Sequence, residues 1–190
     1  MSTQPSSLLT PEQYLEIERK AEYKSEYLAG EMFAMSGASE EHNLIAVNLI
    51  ALLRPQLRTR GCRLYTSDMR VCVTPTGLYT YADVVAVCDK PRFMDSHVDT
   101  LLNPTFLVEI LSPSTEAYDR GRKSEHYRGL ESLTEYLLVA QDHLHADLFT
   151  RAEGRWVLTE AGRPEDVLDL RSIGCKIKMA DLYEDVILPS

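Results

Sequence analysis

Long hydrophobic runs are missing from this chain. No stretch approaches the ~20 apolar residues that a membrane span requires, so no membrane association is expected. The first residues, MSTQPSSLLTPEQ, have neither a basic region nor an apolar signal core, which argues for a cytoplasmic location. Cysteines are few: Cys62, Cys72, Cys88 and Cys175, with no Cys-x-x-Cys pair. In an intracellular chain these would stay reduced and serve as small buried apolar residues. There is no Walker or Gly-x-Gly-x-x-Gly loop and no Gly-x-Ser-x-Gly elbow, which speaks against a nucleotide-binding enzyme and a serine hydrolase. Repeats and low-complexity tracts are absent as well.

What is present suits one globular domain. The chain has 190 residues, 44% hydrophobic and 26% charged. Residues 1–9 read as a flexible tail and 10–190 as a single domain. The formal net charge of −9 argues against a general coating of nucleic acid, because phosphates attract basic surfaces. The charge is uneven, however. Arg54, Arg58, Arg60, Arg63 and Arg70 stand against Asp68 alone, which suggests either a basic stripe or an ordinary solvated face.

Thr10-Pro11-Glu12-Gln13 has the spacing of a capping box with proline at the first helical position, predicting a helix that ends near Lys20. Ala29-Gly30 predicts a hairpin over 24–35. Ser39 followed by Glu40 and Glu41 predicts a second, longer helix, disturbed at Pro55 and ended by Gly61. CRLYTSDMRVCV reads as one bent strand or two, with a turn at Gly77. The runs 82–88, 105–111 and 135–140 are apolar on both faces and read as central strands. A helix is expected over 119–129, and a hairpin around Glu153-Gly154. The order fits an α/β (α+β mixed) domain with a mixed central sheet flanked by helices.

Two residues break the core logic. Asp83 opens one apolar strand and Glu109 lies inside another. A charged carboxylate among Val, Leu and Ile is costly unless it is paired or holds a cation. On neighbouring strands the two would converge and repel each other, and a divalent cation relieves that repulsion. Mg²⁺ suits such oxygen ligands, with Mn²⁺ as a substitute. A nearby lysine would complete a hydrolytic set.

The segments YADVVAV, FLVEILSPST, AYDRGRKSEHYRGL and EYLLV, with the earlier SEYLAGEMFAMSGASEEHNLI, resemble the Uma-type family within the PD-(D/E)XK nuclease superfamily. The resemblance spans roughly Thr10 to Ala140. It implies a restriction-endonuclease-like fold, DNA as substrate, and Asp83, Glu109 and the Ile110 carbonyl as metal ligands. It also marks Glu26, Glu31 and His42. Two positions depart from the superfamily pattern: the proline before the aspartate is Ala82, and the lysine two residues after the glutamate is Leu111. The matching lysine is Lys123, on the following helix, with Asp119 four residues before it and Tyr127 one turn after it.

Each residue also has a structural reading. Asp83 would cap a turn or pair with an arginine. Lys123 and Asp119 would form a surface ion pair, Tyr127 would pack beside Lys123 rather than touch a phosphate, Glu26 and Glu31 would be solvated hairpin acids, and His42 would hydrogen-bond a glutamate or a backbone group. His143 and His145 lack an evident third ligand and read as surface residues. The rival to a Mg²⁺-dependent endonuclease is a non-catalytic nuclease-fold module that binds a protein or nucleic-acid partner. Cutting both strands of a duplex would favour a homodimer.

Overall fold

A computed structural model describes residues 8–189. Helix α1 (Pro11–Glu18) starts on the expected capping box, with the Thr10 and Gln13 side chains each bonded to the other's backbone N–H. Of the expected tail, residues 1–7 lie outside the described residues. Leu9 is already tied down: its N–H donates to the Gly30 carbonyl, and its own carbonyl accepts from the Tyr27 hydroxyl. Strands β1 (Ser25–Leu28) and β2 (Glu31–Ala34) form the hairpin. Its turn places both Ala29 and Gly30 at positive φ, and a Cβ at Gly30 would stand 2.6 Å from that of Leu8. Helix α2 (Glu40–Leu57) is capped by Ser39, whose side chain accepts from the His42 N–H, and it runs through Pro55.

Of the two readings of CRLYTSDMRVCV the second holds: it forms two strands, β3 (Arg63–Thr66) and β4 (Arg70–Val73), which belong to different sheets. They are followed by β5 (Leu78–Tyr81), β6 (Val84–Val87), β7 (Thr100–Leu101) and β8 (Phe106–Leu111). The crossover from β8 to its parallel neighbour β9 (Glu135–Ala140) holds α3 (Glu116–Tyr118), a π-helical turn (Asp119–Lys123) and α4 (Ser124–Arg128). The chain ends with β10 (Ala146–Ala152), β11 (Arg155–Ala161), β12 (Val167–Leu170), β13 (Cys175–Lys178) and α5 (Met179–Leu182).

The central sheet is mixed and has the order β11-β10-β9-β8-β6-β3. Its inner strands are buried on both faces, as their continuous apolar runs require. Val84, Ala86 and Val108 face α2 and its row Ile45, Leu49, Leu53. Val85, Val87 and Leu107 face the other way. There the cover is α4 together with a second sheet, β2-β1-β5-β4-β7, which the sequence reading did not anticipate. Its strands are only two to four residues long, too short to show a period.

One expectation about the cysteines is overturned. Cys62 and Cys88 form a disulfide, with Cα atoms 3.9 Å apart. The antiparallel register Arg63↔Val87 puts them opposite each other just beyond the ends of β3 and β6, which their separation of 26 residues does not reveal. Cys72 and Cys175 are free and buried, as expected. No helix among the described residues is long and apolar enough to cross a membrane.

Candidate active site

The register of the central sheet brings the two anomalous acids together. Val84 pairs with Val108 in antiparallel β6 and β8, and the Asp83 N–H donates to the Val108 carbonyl. Asp83 and Glu109 therefore lie opposite each other on the face toward the second sheet. The Asp83 carboxylate is held at both oxygens. Oδ2 accepts from the Ile110 N–H at 2.7 Å, and Oδ1 lies 3.0 Å from His42 Nε2 at the start of α2. His42 thus meets a carboxylate of the site, an aspartate where a glutamate or a backbone group was expected.

Lys123 enters from the crossover. Its Nζ lies 2.9 Å from Glu109 Oε1, 3.2 Å from Glu26 Oε1 and 3.6 Å from Asp119 Oδ1. All four side chains are buried, so the Lys123–Asp119 pair is not a surface pair. The π-helical turn contains both residues, and such widened turns occur often at functional sites. Leu111, at the position where the superfamily carries lysine, is packed in the core.

Glu26 is fixed by two residues that carried no sequence signal. Thr80 donates to Oε1, and the Tyr118 hydroxyl donates to Oε2 at 2.8 Å. Either is an ordinary strand or helix residue until the hairpin is laid beside the crossover. Glu31 is not brought in. It shares the Glu26 face of the hairpin but sits two residues nearer the turn, exposed and away from the groove described below. Tyr127 donates to Glu109 Oε1 at 2.7 Å and is fully buried, which removes a direct contact with substrate phosphate.

The electrostatics follow from this crowding. Burial pushes the Glu109 carboxyl well above the ordinary glutamate range. Lys123 opposes that shift, while Asp119 and Asp83 add to it. Burial also raises Asp119, tempered by Lys123. For Lys123 burial disfavours the charge, but Glu109, Glu26 and Asp119 outweigh it and raise the ammonium well above its usual value. One ammonium thus serves three buried acids, with Asp83 beside them. That excess of negative charge calls for a proton or a further cation. The donor set, hard carboxylate oxygens on a rigid sheet, fits a divalent cation of the Mg²⁺ type.

These residues lie along a groove of about 1440 Å³ between the hairpin, the first turns of α2 and the crossover. The arginine stripe does not reach it. On α2 the lining ends at Ala51, short of Arg54 and of Arg58 at the helix C-cap, and Arg70 is buried against Tyr81 and Thr100. Away from the groove, His145 does have the partners that sequence did not show. It forms a triad with Asp147 and Glu160, the one group of three His, Cys, Asp or Glu ligands gathered within 4.8 Å among the described residues. Asp147 there is already neutralised by Arg120, so the cluster is an ion-pair network.

The layered sheets and the crossover define a restriction-endonuclease-like fold. A crystal structure described as a putative nuclease belonging to DUF820, from Anabaena variabilis, matches it with a TM-score of 0.74 at 14% identity, over 93% of this chain and 98% of that one. The chain belongs to the Uma2 family, described as "Putative restriction endonuclease", whose model matches residues 11–180. Two uncharacterized proteins of Synechocystis sp. are similar along most of their length. One, slr1290, is 37% identical over 180 residues, covering 94% of this chain and 93% of the relative. The other, sll1609, is 34% identical over 156 residues, covering 82% and 88%.

Proposed function

We propose that the protein is a divalent-cation-dependent nuclease that hydrolyses DNA phosphodiester bonds, with Asp83, Glu109 and Lys123 as its centre. The observation that carries this reading is the contact of Lys123 with Glu109 at 2.9 Å, on the strand directly beside Asp83. On this reading the crossover supplies, through Lys123, the lysine that Leu111 does not. Asp83, Glu109 and the Ile110 carbonyl would hold Mg²⁺ or Mn²⁺. When bound, the ion polarises a phosphate oxygen and lowers the pKa of a bound water.

The chain's own groups divide the remaining work. His42 and the Ile110 N–H fix the orientation of Asp83. Tyr127 fixes Glu109. Glu26 and Asp119 keep Lys123 protonated, so that it positions the attacking water and stabilises the charge that grows on phosphorus. Water oxygen bonds to phosphorus and gives up a proton to solvent, the phosphorus–ester oxygen bond breaks, and the leaving oxygen takes one proton back from solvent.

The test is incubation with plasmid and with oligonucleotides in Mg²⁺ or Mn²⁺, repeated with Asp83→Ala and Glu109→Ala. Cleavage is expected only with metal and only with both acids. Cleavage that survives both substitutions contradicts the assignment.

A further inference from the structure

The groove over these acids has the wrong charge for a duplex and the right surfaces for unpaired bases. Three lysine or arginine side chains line it, Lys24, Arg122 and Lys123, against six carboxylates. Duplex DNA hides its base faces and carries one phosphate charge per ~1.7 Å of axis, about twice the linear charge of a single strand, so it needs the larger number of cations. The groove has few to offer. Its walls instead expose apolar side chains. Tyr23 is 77% exposed and Phe33 49%, and Val47 on the facing helix is 63% exposed; all three line the groove. Phe33 is the cross-strand partner of Glu26, so its ring stands on the hairpin face that carries an acid of the Lys123 cluster.

Depth points the same way. Glu109 and Lys123 are 4% and 3% exposed at the groove floor, under walls formed by the hairpin and α2. A strand without a partner bends to reach such a floor more readily than a rigid duplex. Aromatic side chains hold such strands by stacking on bases, without sequence preference.

We infer that the substrate is single-stranded DNA, with bases stacked on Tyr23 and Phe33 while the backbone passes over Asp83. This rests on the nuclease reading of the same site.

The experiment pairs binding with cleavage. Anisotropy of a labelled single-stranded 12-mer and of the same sequence as a duplex is measured with the full chain in Ca²⁺, and cleavage of both is followed in Mg²⁺ and Mn²⁺. The variants are Tyr23→Ala, Phe33→Ala and Phe33→Trp, all at exposed positions, with folding checked by Tm. The single strand is expected to bind at least about tenfold tighter than the duplex. Each alanine should weaken it roughly fivefold or more, and the tryptophan should keep it. Equal or tighter duplex binding, or alanine variants that bind the single strand unchanged, overturns the inference. So does a Phe33→Ala variant whose only change is the loss of a self-associated form, because the patch is then an interface between copies. The two readings fail separately. Aromatic-dependent single-strand binding without any cleavage removes the nuclease reading and keeps the occupant. Metal-dependent duplex cleavage that ignores Tyr23 and Phe33 keeps the nuclease and removes the occupant.

Discussion

Two glutamates are buried in adjacent parallel strands, Glu109 in β8 and Glu135 in β9, and they are treated in opposite ways. Glu135 is wholly enclosed and fully served by donors. Its carboxylate accepts from the Arg171 N–H at 3.0 Å, from the Ser172 N–H at 3.1 Å and from the Ser172 hydroxyl. No second acid crowds it in that set of contacts. It fastens the turn before β13 to the sheet, and a buried charge bound in this way is a structural clasp. Glu109 has Lys123 and Tyr127 as partners, but it shares that lysine with Glu26 and Asp119. Burial alone therefore does not mark a functional acid. The mark is burial among other acids that compete for the same donor.

Substitutions can break this contrast. The largest effect is expected on activity. Asp83→Ala and Glu109→Ala should each lower the cleavage rate by on the order of 10²–10³-fold, the scale of removing one group that stabilises transition-state charge. Glu135→Gln should leave the rate of the folded enzyme unchanged. A rate loss at Glu135 comparable to that at Glu109, in protein shown to be folded, would erase the distinction.

Stability comes next. Lys123→Met leaves three acids without their ammonium. Removing one partner of a buried ion pair costs about 3–5 kcal/mol, so urea melts of metal-free protein should show a loss of that order. Adding Glu109→Gln should recover part of it, and a double-mutant cycle measures how much. Strict additivity would deny the coupling. Glu135→Ala should also destabilise, by about 1.5–3 kcal/mol for each hydrogen bond to the carboxylate that is lost. Millimolar Mg²⁺ should not restore that loss.

The smallest effect is with pH. Glu109 has a folded-state pKa above its unfolded value, so the folded protein keeps a proton that the unfolded chain gives up. The stability this contributes is complete below the ordinary glutamate value and is lost as pH rises toward the folded pKa. Asp119 acts in the same direction. Metal-free Tm should therefore decline in this window, and Glu109→Gln should flatten the decline. Mg²⁺ competes with the proton, so its stabilising shift should grow as pH rises. A metal shift independent of pH would mean that the ion binds elsewhere.

The same contrast shows which parts of the site were legible in sequence. Asp83 and Glu109 stood out because a carboxylate inside an apolar strand violates a local rule. Lys123 and Glu26 violate none; they lie on a helix and a hairpin where charged residues are ordinary. They were marked by resemblance, and only the fold puts them beside Glu109. Glu31 has the same local character as Glu26, and two residues of hairpin length separate a site residue from an exposed one. Thr80, Tyr118 and the Cys62–Cys88 bond depend on pairings between distant segments, which carry no short-range pattern. Long elements such as α2, β8 and β9 were readable because their periods or apolar runs extend far enough. The second sheet was not, because its strands are too short.

The most direct test of the account is a crystal structure of the protein soaked in Mn²⁺, read by anomalous scattering. A peak is expected between the Asp83 and Glu109 carboxylates, beside the Lys123 ammonium. A map empty there at millimolar Mn²⁺, or with its only peak at His145, Asp147 and Glu160, would contradict it.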